Sequence, residues 1–376
     1  MKYIYPFTKL QNHKALLDDI NSAASRLHKK VEVLDGHSLP ISHYNKHYFD
    51  SYQKDILRVL QRSSFILFLS TSVYRKPLSD LVFVDYGGGT GFLALLAKEL
   101  GIGTVIYSDI YDISCQDARV IADSLQLVAN SYVCGDVDEL LDFLQRERIH
   151  CDAIMSYDVL EHIYNVESFL HKLVTSPNGP STILMASAAN KRNPFIRKNL
   201  GNMHFRYEYG DRSKEAWHKE RDTLRAFHSV RKEIIENYAP ELSQKEVEVL
   251  AKNTRGKIIG DILECVEEYK KEKSLSVKPR HPTNTCDPYT GNWQEQLLEL
   301  DWLEGILKRE GIITRILPGY YGTHAHPIKN LIGLGLNLFI SKFPDVGLGV
   351  APFYIFCGVR EIRMQETNSR GWTCRG

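Results

Sequence analysis

The residues with the clearest chemical potential form a glycine-rich turn, Asp85-Tyr86-Gly87-Gly88-Gly89-Thr90-Gly91. Glycines let the backbone turn tightly and approach a ligand closely, because no Cβ stands in the way. The apolar run at 81–84 predicts a buried strand before the turn, and the pattern at 91–100 predicts a helix after it. The N–H groups at the start of that helix would point at a ligand. The strand, turn and helix together therefore predict a ligand-binding site.

Two phosphate-binding patterns do not match this turn in full, although the turn alone leaves dinucleotide binding open. A dinucleotide fingerprint needs a third glycine three residues after Gly89, and Phe92 stands there. A P-loop is excluded because no Gly-Lys-Ser/Thr run follows. An acidic group such as Asp85 would repel a pyrophosphate but can hold an ammonium group through water or backbone. The turn therefore favours a ligand that carries an ammonium group.

Acidic residues follow the next predicted strands in chain order. Asp109 ends the second strand, Asp136 follows the third, and the run Tyr157-Asp158-Val159-Leu160-Glu161-His162-Ile163 follows the fourth. The turn with these companions resembles motif I and its partners in class I S-adenosylmethionine-dependent methyltransferases. The run after the fourth strand is similar to that of the quinone-precursor O-methyltransferase type. The resemblance covers residues 81–187 well and residues 294–360 loosely.

The resemblance implies S-adenosylmethionine as the cofactor and assigns it a set of binding residues. It places Asp109 on the ribose hydroxyls and Asp136 near the adenine. Each acid has an alternative interpretation, because an acidic residue at a strand end often caps the next helix, and Asp136 could do only that. The implied cofactor-binding residues are Asp85, Gly87, Gly88, Gly89, Gly91, Asp109, Ile110, Asp136, Val137, Tyr157 and Asp158.

His162 is the candidate catalytic residue. Methyl transfer from a sulfonium is an in-line displacement, and a base assists it when the acceptor is a hydroxyl or a protonated nitrogen. Histidine titrates near neutrality and can act as this base. Two other interpretations stay open. His162 could be structural, or it could bind a divalent metal with Asp158 and Glu161, because this run resembles a carboxylate-x-x-Glu-His arrangement that binds a divalent cation in some members of the superfamily. The geometry is feasible, since the three would share one face of a helix.

From residue 81 onward, short apolar runs alternate with amphipathic helical segments. This alternation predicts βαβ units, and hence an α/β fold with a Rossmann-like, mainly parallel seven-stranded sheet and helices on both faces. A helical N-terminal cap and a helical insert would complete it. The strands are predicted at 81–84, 104–107, 131–134, 152–156, 181–186, 312–317 and 353–359.

The predicted domain organisation places a helical insert inside the core. We expect a helical cap at 1–75, a methyltransferase core at 76–189 and 294–365, and a flexible tail at 366–376. The charged, helical residues 190–293 would form an insert that acts as a lid. Because the core binds the cofactor, such additions are expected to select the substrate.

The substrate residues are predicted from two polar and aromatic segments. The run at 204–209 suits a sugar or a phenol, and the loop at 318–326 is rich in Gly, Tyr and His. Alternatively, the side chains at 204–209 hold the insert against the core. The predicted substrate residues are His204, Tyr207, Tyr320 and Tyr321.

An apolar segment at 328–343 follows this loop and is too short to span a bilayer. We expect a buried or lid helix there, and contact with a membrane surface is the alternative. The formal net charge of +1 gives no overall electrostatic reason for a nucleic-acid partner. The seven cysteines form no CxxC pair, which predicts reduced thiols in a cytoplasmic protein.

The sequence therefore predicts a biosynthetic methyltransferase that acts on a small molecule, such as a sugar or a natural-product hydroxyl or amine. A protein or peptide acceptor is the alternative within this class. A cofactor-binding partner subunit without catalytic activity is the alternative from another class.

Overall fold

The computed structural model describes residues 13–214, 219–273, 283–324 and 326–360. They contain a seven-stranded sheet with the order β3-β2-β1-β4-β5-β7-β6, in which β7 runs antiparallel to both of its neighbours. The predicted fold class is confirmed. The strands are β1 (Val82–Tyr86), β2 (Thr104–Asp109), β3 (Ser131–Cys134), β4 (Ala153–Tyr157), β5 (Thr182–Ser187), β6 (Ile312–Pro318) and β7 (Tyr354–Arg360).

Helices precede the sheet, connect its strands and extend from it. Those of the N-terminal region are α1 (Lys14–Val33), α2 (His43–Lys54) and α3 (Ile56–Thr71). Those that connect the first five strands are α4 (Phe92–Leu100), α5 (Asp112–Leu125), α6 (Val137–Arg146) and α7 (Val166–Thr175). The remainder are α8 (Pro194–Tyr209), α9 (Phe227–Tyr238), α10 (Gln244–Asn253), α11 (Ile259–Glu272), α12 (Leu300–Arg309), α13 (Pro327–Lys342) and α14 (Pro344–Gly347).

The chain divides into two compact units. The first, here called the core unit, comprises the described residues within Met1–Leu160, Glu167–Ala188 and Leu300–Gly376. The second, called the insert unit, comprises those within Glu161–Val166 and Ala189–Glu299. The predicted tail at 366–376, and the last predicted core residues at 361–365, lie outside the described residues.

The N-terminal helices share the hydrophobic core of the core unit. α1 buries Ala23, Ala24 and Leu27 in the same apolar cluster as the strands of the sheet. On the surface, Arg26 and Lys30 of α1 hold Glu99 of α4 at 2.5 and 2.7 Å. α3 lies against β4 and β5, in a position that brings its polar side chains to the sheet. These helices are therefore one layer of the α/β fold.

The insert unit has an apolar core of its own, built from α9, α10 and α11. Val247 and Leu250 of α10 and Ile262 and Val266 of α11 are buried there, as their helical spacing predicts. Ile259, which the same spacing places inward, is exposed at the first residue of α11. Helix ends lack neighbouring turns that would bury them, so periodicity is least informative there.

A buried ion pair lies beside this apolar core. Arg231 of α9 and Glu208 of α8 are both inaccessible to solvent, and the guanidinium donates to both carboxylate oxygens. Arg231 Nε also donates to the Ala251 carbonyl at 2.9 Å, and Thr285 donates to Glu208 at 2.7 Å. Burial alone would raise the pKa of Glu208, but the charge and hydrogen bonds of Arg231, the charge of Arg255 and the Thr285 hydrogen bond together outweigh burial and lower it. The pair is thus fully bonded and holds three helices and a loop together.

The helix that would carry Asp158, Glu161 and His162 on one face is not present directly after β4. Asp158 adopts a left-handed conformation with φ of 53°, a short 3-10 turn covers Leu160–His162, and α7 begins only at Val166. Left-handed backbone cannot be part of an α-helix of L residues. The helical face that would have joined Asp158, Glu161 and His162 therefore does not exist.

Helix α13 is not the buried helix that its composition suggested. Gly333, Asn337 and Ile340 are its buried residues, while Leu331 and Leu338 are 72% and 56% exposed. The inward side consists largely of small and polar residues, which leaves most of the large apolar residues on the outward side. An apolar composition therefore did not reveal which side of this helix faces the protein. Within the described ranges, no helix is long and apolar enough to cross a membrane.

Removing the charge of Glu208 should destabilise the insert unit. Glu208→Gln leaves the Arg231 guanidinium buried without a counter-charge, which typically costs about 3–5 kcal/mol. We expect hydrogen exchange of the amides in α9, α10 and α11 to accelerate accordingly. The matched control is Glu233→Gln, which breaks the solvent-exposed pair with Arg225 and should change exchange little. Equal exchange rates in the two variants would contradict this assignment.

Candidate functional site

The glycine-rich turn between β1 and α4 requires glycine at consecutive positions. Gly87 and Gly89 have φ angles of 66° and 53°, which favour glycine. A Cβ on Gly87 would lie 2.5 Å from Val159 Cγ2, and one on Gly88 would lie 2.5 Å from Tyr107 Cε2. At Gly89 a Cβ would meet no described atom within 4 Å. The turn is closed towards the protein and open at Gly89, where a ligand can approach.

Asp109, the last residue of β2, fixes this turn. Its Oδ2 accepts a hydrogen bond from the Gly89 N–H at 3.0 Å, and its Oδ1 accepts one from the Tyr111 N–H at 2.9 Å. Each carboxylate oxygen has a second lone pair, so ligand hydroxyls can still donate to it. Ile110, the next residue, is 53% exposed. An apolar side chain beside a buried carboxylate suits a ligand with a flat ring and hydroxyl groups.

Asp85, at the carboxyl end of β1, has a structural task that its sequence position did not reveal. Its carboxylate accepts a hydrogen bond from the Ala94 N–H at 2.9 Å, and so satisfies a donor in the first turn of α4. Gly91, in the left-handed conformation, precedes that helix. Burial is the main reason that the pKa of Asp85 is raised to about 7. The hydrogen bond from the Ala94 N–H acts to lower this pKa, and the charge of Asp109 acts to raise it.

Asp136 caps helix α6. Its carboxylate accepts a hydrogen bond from the Asp138 N–H at 2.7 Å, and the Glu139 carboxylate accepts one from the Asp136 N–H at 2.9 Å. The capping interpretation of this acid is therefore realised. Asp136 is exposed and Val137 is buried, so the cofactor contacts predicted for the two residues remain predictions.

Tyr157 and Asp158 stand at the carboxyl end of β4. The Asp158 carboxylate accepts a hydrogen bond from the Ala188 N–H at 2.8 Å, which ties the end of β4 to the end of β5. The Tyr157 hydroxyl accepts a hydrogen bond from Arg62 Nη1 at 2.5 Å. Because β1 and β4 are adjacent in the sheet, these residues and the glycine-rich turn meet at one edge.

A row of tyrosines on α2 was not identified as part of the site from the sequence. Tyr44, Tyr48 and Tyr52, here called the tyrosine stripe, lie one turn apart with ring centroids separated by 5.1 and 6.2 Å. Tyr44 contacts Tyr111 edge to face at 5.5 Å, and Tyr52 contacts Phe92 in the same way at 5.5 Å. The stripe therefore extends from the end of β2 to the start of α4. The four-residue spacing was the available signal.

His162 belongs to the insert unit, and each nitrogen of its ring has a neighbour in that unit. Nδ1 lies 2.8 Å from the Trp293 carbonyl oxygen, and Nε2 lies 3.6 Å from Glu295 Oε1. Burial raises the pKa of Glu295. In the described ranges, three or more His, Cys, Asp or Glu side chains do not converge in a way that could hold a metal ion. The possible metal set of Asp158, Glu161 and His162 is thus not assembled there.

The predicted substrate residues of the insert unit, His204 and Tyr207, point into it. His204 is fully buried, and its Nε2 lies 3.1 Å from the Glu295 carbonyl oxygen. Burial lowers the pKa of His204, so the ring is neutral. The Tyr207 ring lies under the Arg212 guanidinium, 3.8 Å from its carbon, and packs on Phe227. Both side chains therefore make their contacts within the insert unit.

The predicted substrate residues of the core unit, Tyr320 and Tyr321, also have structural partners. Tyr320 is buried, and its hydroxyl donates to the Gln61 carbonyl at 2.5 Å. The Tyr321 hydroxyl donates to the Val350 carbonyl at 2.7 Å. The Tyr321 backbone exchanges two hydrogen bonds with the buried Asn337 side chain, at 2.8 and 2.9 Å. These contacts fasten the loop to α3 and α13.

Comparison with family models adds the deciding observation. Residues 84–179, which contain the glycine-rich turn, Asp109 and Asp158, match a family described as a methyltransferase domain. Residues 84–179 therefore form a methyltransferase domain, and the chain is an S-adenosylmethionine-dependent methyltransferase. The predicted family, enzyme class and cofactor are confirmed.

Solved structures similar to the methyltransferase include the plantazolicin methyltransferase BpumL in complex with SAH. That likeness has 13% identity and a TM-score of 0.37, and covers 91% of this chain and 99% of BpumL. A protein of Thermoplasma acidophilum has 15% identity and a TM-score of 0.26, over 49% of this chain and 77% of its own. A search of curated proteins finds no match.

The described residues of the methyltransferase fit its cofactor. Gly89 offers open space beside a backbone turn, and the Asp109 carboxylate keeps lone pairs for ribose hydroxyls. The carboxylates of Asp109 and Asp158 lie at the carboxyl ends of β2 and β4, the two strands that flank β1. Their combined charge favours a ligand with positive groups, which S-adenosylmethionine has in its sulfonium and ammonium.

A methyl group added at Gly88 should abolish cofactor binding. In Gly88→Ala the new Cβ would lie 2.5 Å from the Tyr107 ring and 2.9 Å from the Asp85 carboxylate, so the turn must move. We expect calorimetry to detect no binding of S-adenosylhomocysteine. The control is Gly305→Ala in α12, where a Cβ meets no described atom within 4 Å and binding should persist. Normal binding by Gly88→Ala would contradict the position of the turn.

The stability of the methyltransferase should depend on pH through Asp85. Its pKa is about 7 in the folded protein and about 3.9 in an unfolded chain, so stability is lost as pH rises from about 4 to about 7. Asp85→Asn can still accept the Ala94 hydrogen bond but cannot ionise. We expect its unfolding temperature to exceed that of the wild type more at pH 8 than at pH 5. A difference that does not change with pH would refute the raised pKa.

Proposed function

We propose that the methyltransferase transfers a methyl group from S-adenosylmethionine to a hydroxyl or amine of a small molecule, such as a sugar or natural product, with His162 as the general base. The observation that supports this proposal is the hydrogen bond of His162 Nδ1 to the Trp293 carbonyl. A carbonyl oxygen can only accept, so Nδ1 carries the proton in the neutral ring. The lone pair is then on Nε2, which is the nitrogen that can take a proton.

The surroundings of Nε2 are consistent with a base. Glu295 Oε1 lies 3.6 Å from Nε2, beyond hydrogen-bond distance. His162 Nε2 is close enough, however, for a carboxylate at Glu295 to stabilise the imidazolium that forms. The side chain of His162 is 35% exposed and can therefore meet a substrate.

Bound S-adenosylmethionine supplies a methyl group on a positively charged sulfur, whose departure as a neutral thioether drives the transfer. The acceptor oxygen or nitrogen forms a bond to the methyl carbon while the carbon–sulfur bond breaks and its electron pair returns to sulfur. The acceptor proton passes to His162 Nε2, which later releases it to solvent. A base of this kind typically contributes about 10²–10⁴-fold.

The acceptor contacts in the insert unit are better assigned to Phe205 and Tyr209 than to His204 and Tyr207. Phe205 and Tyr209 are exposed on α8, and their rings lie 5.0 Å apart. They are one turn apart on the helix, so they form one aromatic surface. Aromatic faces next to polar groups suit sugars and phenols. The insert unit, with its own core, would accordingly select the acceptor.

Product formation distinguishes the proposed function from its alternatives. Release of S-adenosylhomocysteine is measured with sugars, phenols, small amines and peptides as separate acceptor panels. Turnover with a small acceptor supports the proposal, and turnover with peptides alone favours a peptide methyltransferase. Binding of S-adenosylhomocysteine without turnover in any panel favours a cofactor-binding subunit.

Replacing His162 by Asn should remove the base and keep its structural contact. The Asn side-chain amide can still donate to the Trp293 carbonyl, but it has no group that titrates near neutrality. We expect kcat to fall about 10²–10⁴-fold with a flattened pH profile, while the affinity for S-adenosylhomocysteine stays unchanged.

The matched control for this variant is His171→Asn, which replaces an exposed histidine of α7 that bonds Glu310 at 2.9 Å. Its turnover should equal that of the wild type. If His162→Asn keeps full turnover across neutral pH, His162 is not the base. Methyl transfer itself would stand in that case, because the wild-type reaction is measured independently.

A further inference from the structure

Arg62 of α3 places a positive charge at the carboxyl end of β4. Its Nη1 donates to the Tyr157 hydroxyl at 2.5 Å, and its guanidinium carbon lies 4.0 Å from the centroid of the Tyr157 ring. Tyr157 is the last residue of β4, and β4 is the neighbour of β1 in the sheet. The guanidinium is therefore fixed at the edge where the glycine-rich turn lies.

This cation lacks a bonded counter-ion among the residues that the structure describes. No described carboxylate lies within 4.0 Å of Arg62 as an ion pair, and its buried Nε has no described hydrogen-bond partner. Burial opposes the charge of Arg62, but Tyr157 and Asp158 more than offset it and raise its pKa. A charged guanidinium with an unsatisfied, buried N–H is costly unless an anion completes it.

The tyrosine stripe relates this cation to the rest of the cofactor site. Tyr52 lies close enough to Arg62 and Asp158 for both charges to affect its pKa. Its ring contacts Phe92 at the start of α4. Tyr44, at the other end of the stripe, contacts Tyr111 beside Asp109. The two tyrosines are eight positions apart on the α-helix, which corresponds to a rise of about 12 Å. One helix therefore spans the distance between the acidic end of the site and its cationic end.

The two ends match the two ends of the methyl donor. Asp109 at the end of β2 is suited to ribose hydroxyls, and Arg62 is suited to a carboxylate, which a guanidinium can hold with two parallel hydrogen bonds. We propose that Arg62 binds the carboxylate of the amino-acid part of S-adenosylmethionine, while the tyrosine stripe of α2 covers the cofactor along its length. This inference rests on the established cofactor and adds a binding residue from outside the matched domain at 84–179.

The test compares two ligands that differ in this carboxylate. S-adenosylhomocysteine carries the amino-acid part, whereas 5′-methylthioadenosine has the same thioether nucleoside without it. We expect Arg62→Met to lower the affinity for S-adenosylhomocysteine about 10- to 100-fold, as measured by calorimetry, and to leave the affinity for methylthioadenosine unchanged. Arg62→Lys keeps the charge without the planar fork and should recover part of the loss.

The matched control is Arg58→Met, one turn earlier on α3, where the guanidinium pairs with the exposed Asp55. Its affinity for both ligands should equal that of the wild type. If Arg62→Met loses affinity for both ligands to the same extent, Arg62 has a structural role and the proposal is overturned. Unchanged S-adenosylhomocysteine affinity with a raised KM for the acceptor would assign Arg62 to an acceptor anion and overturn it as well.

Failure of this inference is distinguishable from failure of the cofactor assignment. If the wild type binds both nucleosides and Arg62→Met binds each of them with wild-type affinity, only the role of Arg62 is refuted. If the wild type binds neither, the cofactor assignment itself fails.

Discussion

The reversal of strand order between β1 and β4 is the constraint on which the site depends. Because β1 has β2 on one side and β4 on the other, the connections that leave the two inner strands diverge and open a crevice at their carboxyl ends. The glycine-rich turn, Asp109 and Tyr157 are brought together by this topology and by nothing local. α3 reaches the same edge because it packs on β4 and β5.

The carboxylates at this edge build the binding loop as well as charge it. Asp109 accepts hydrogen bonds from Gly89 and Tyr111, and Asp85 accepts one from the first turn of α4. Backbone donors that would otherwise be buried without partners are thereby satisfied. The loop is held in its binding conformation by groups that also set its electrostatic preference. A ligand that binds there meets a shape already formed, so little ordering remains to oppose binding.

Much of the fold could be predicted from local sequence, because strands that are buried on both sides are short apolar runs. Each predicted strand overlaps an observed one, and their limits differ by two residues at most. The glycine-rich turn was predictable for a similar reason, since its backbone conformation restricts which residues it tolerates. Such features are recorded in a few consecutive residues.

The predictions that failed concerned features that depend on contacts between residues distant in the sequence. The left-handed Asp158 interrupts a helix that its composition favours, and its carboxylate bonds to residue 188. The inward orientation of Tyr320 depends on Gln61, and that of His204 depends on Glu295. α13 has an apolar composition whichever side faces the protein. The tyrosine stripe has the spacing of any amphipathic helix, and only the position of α2 beside Asp109 gives it a functional meaning.

The two ends of the insert unit lie close together, since Lys191 near its start pairs with Glu299 at its end. A segment whose ends meet can lengthen or change without moving the strands that flank it, because the cost of closing a loop grows only slowly with its length. The inserted helices can therefore be regarded as a cassette between β5 and α12. Exchange of such a cassette offers a route by which one methyltransferase domain can carry different helical inserts, with the strands of its sheet left intact.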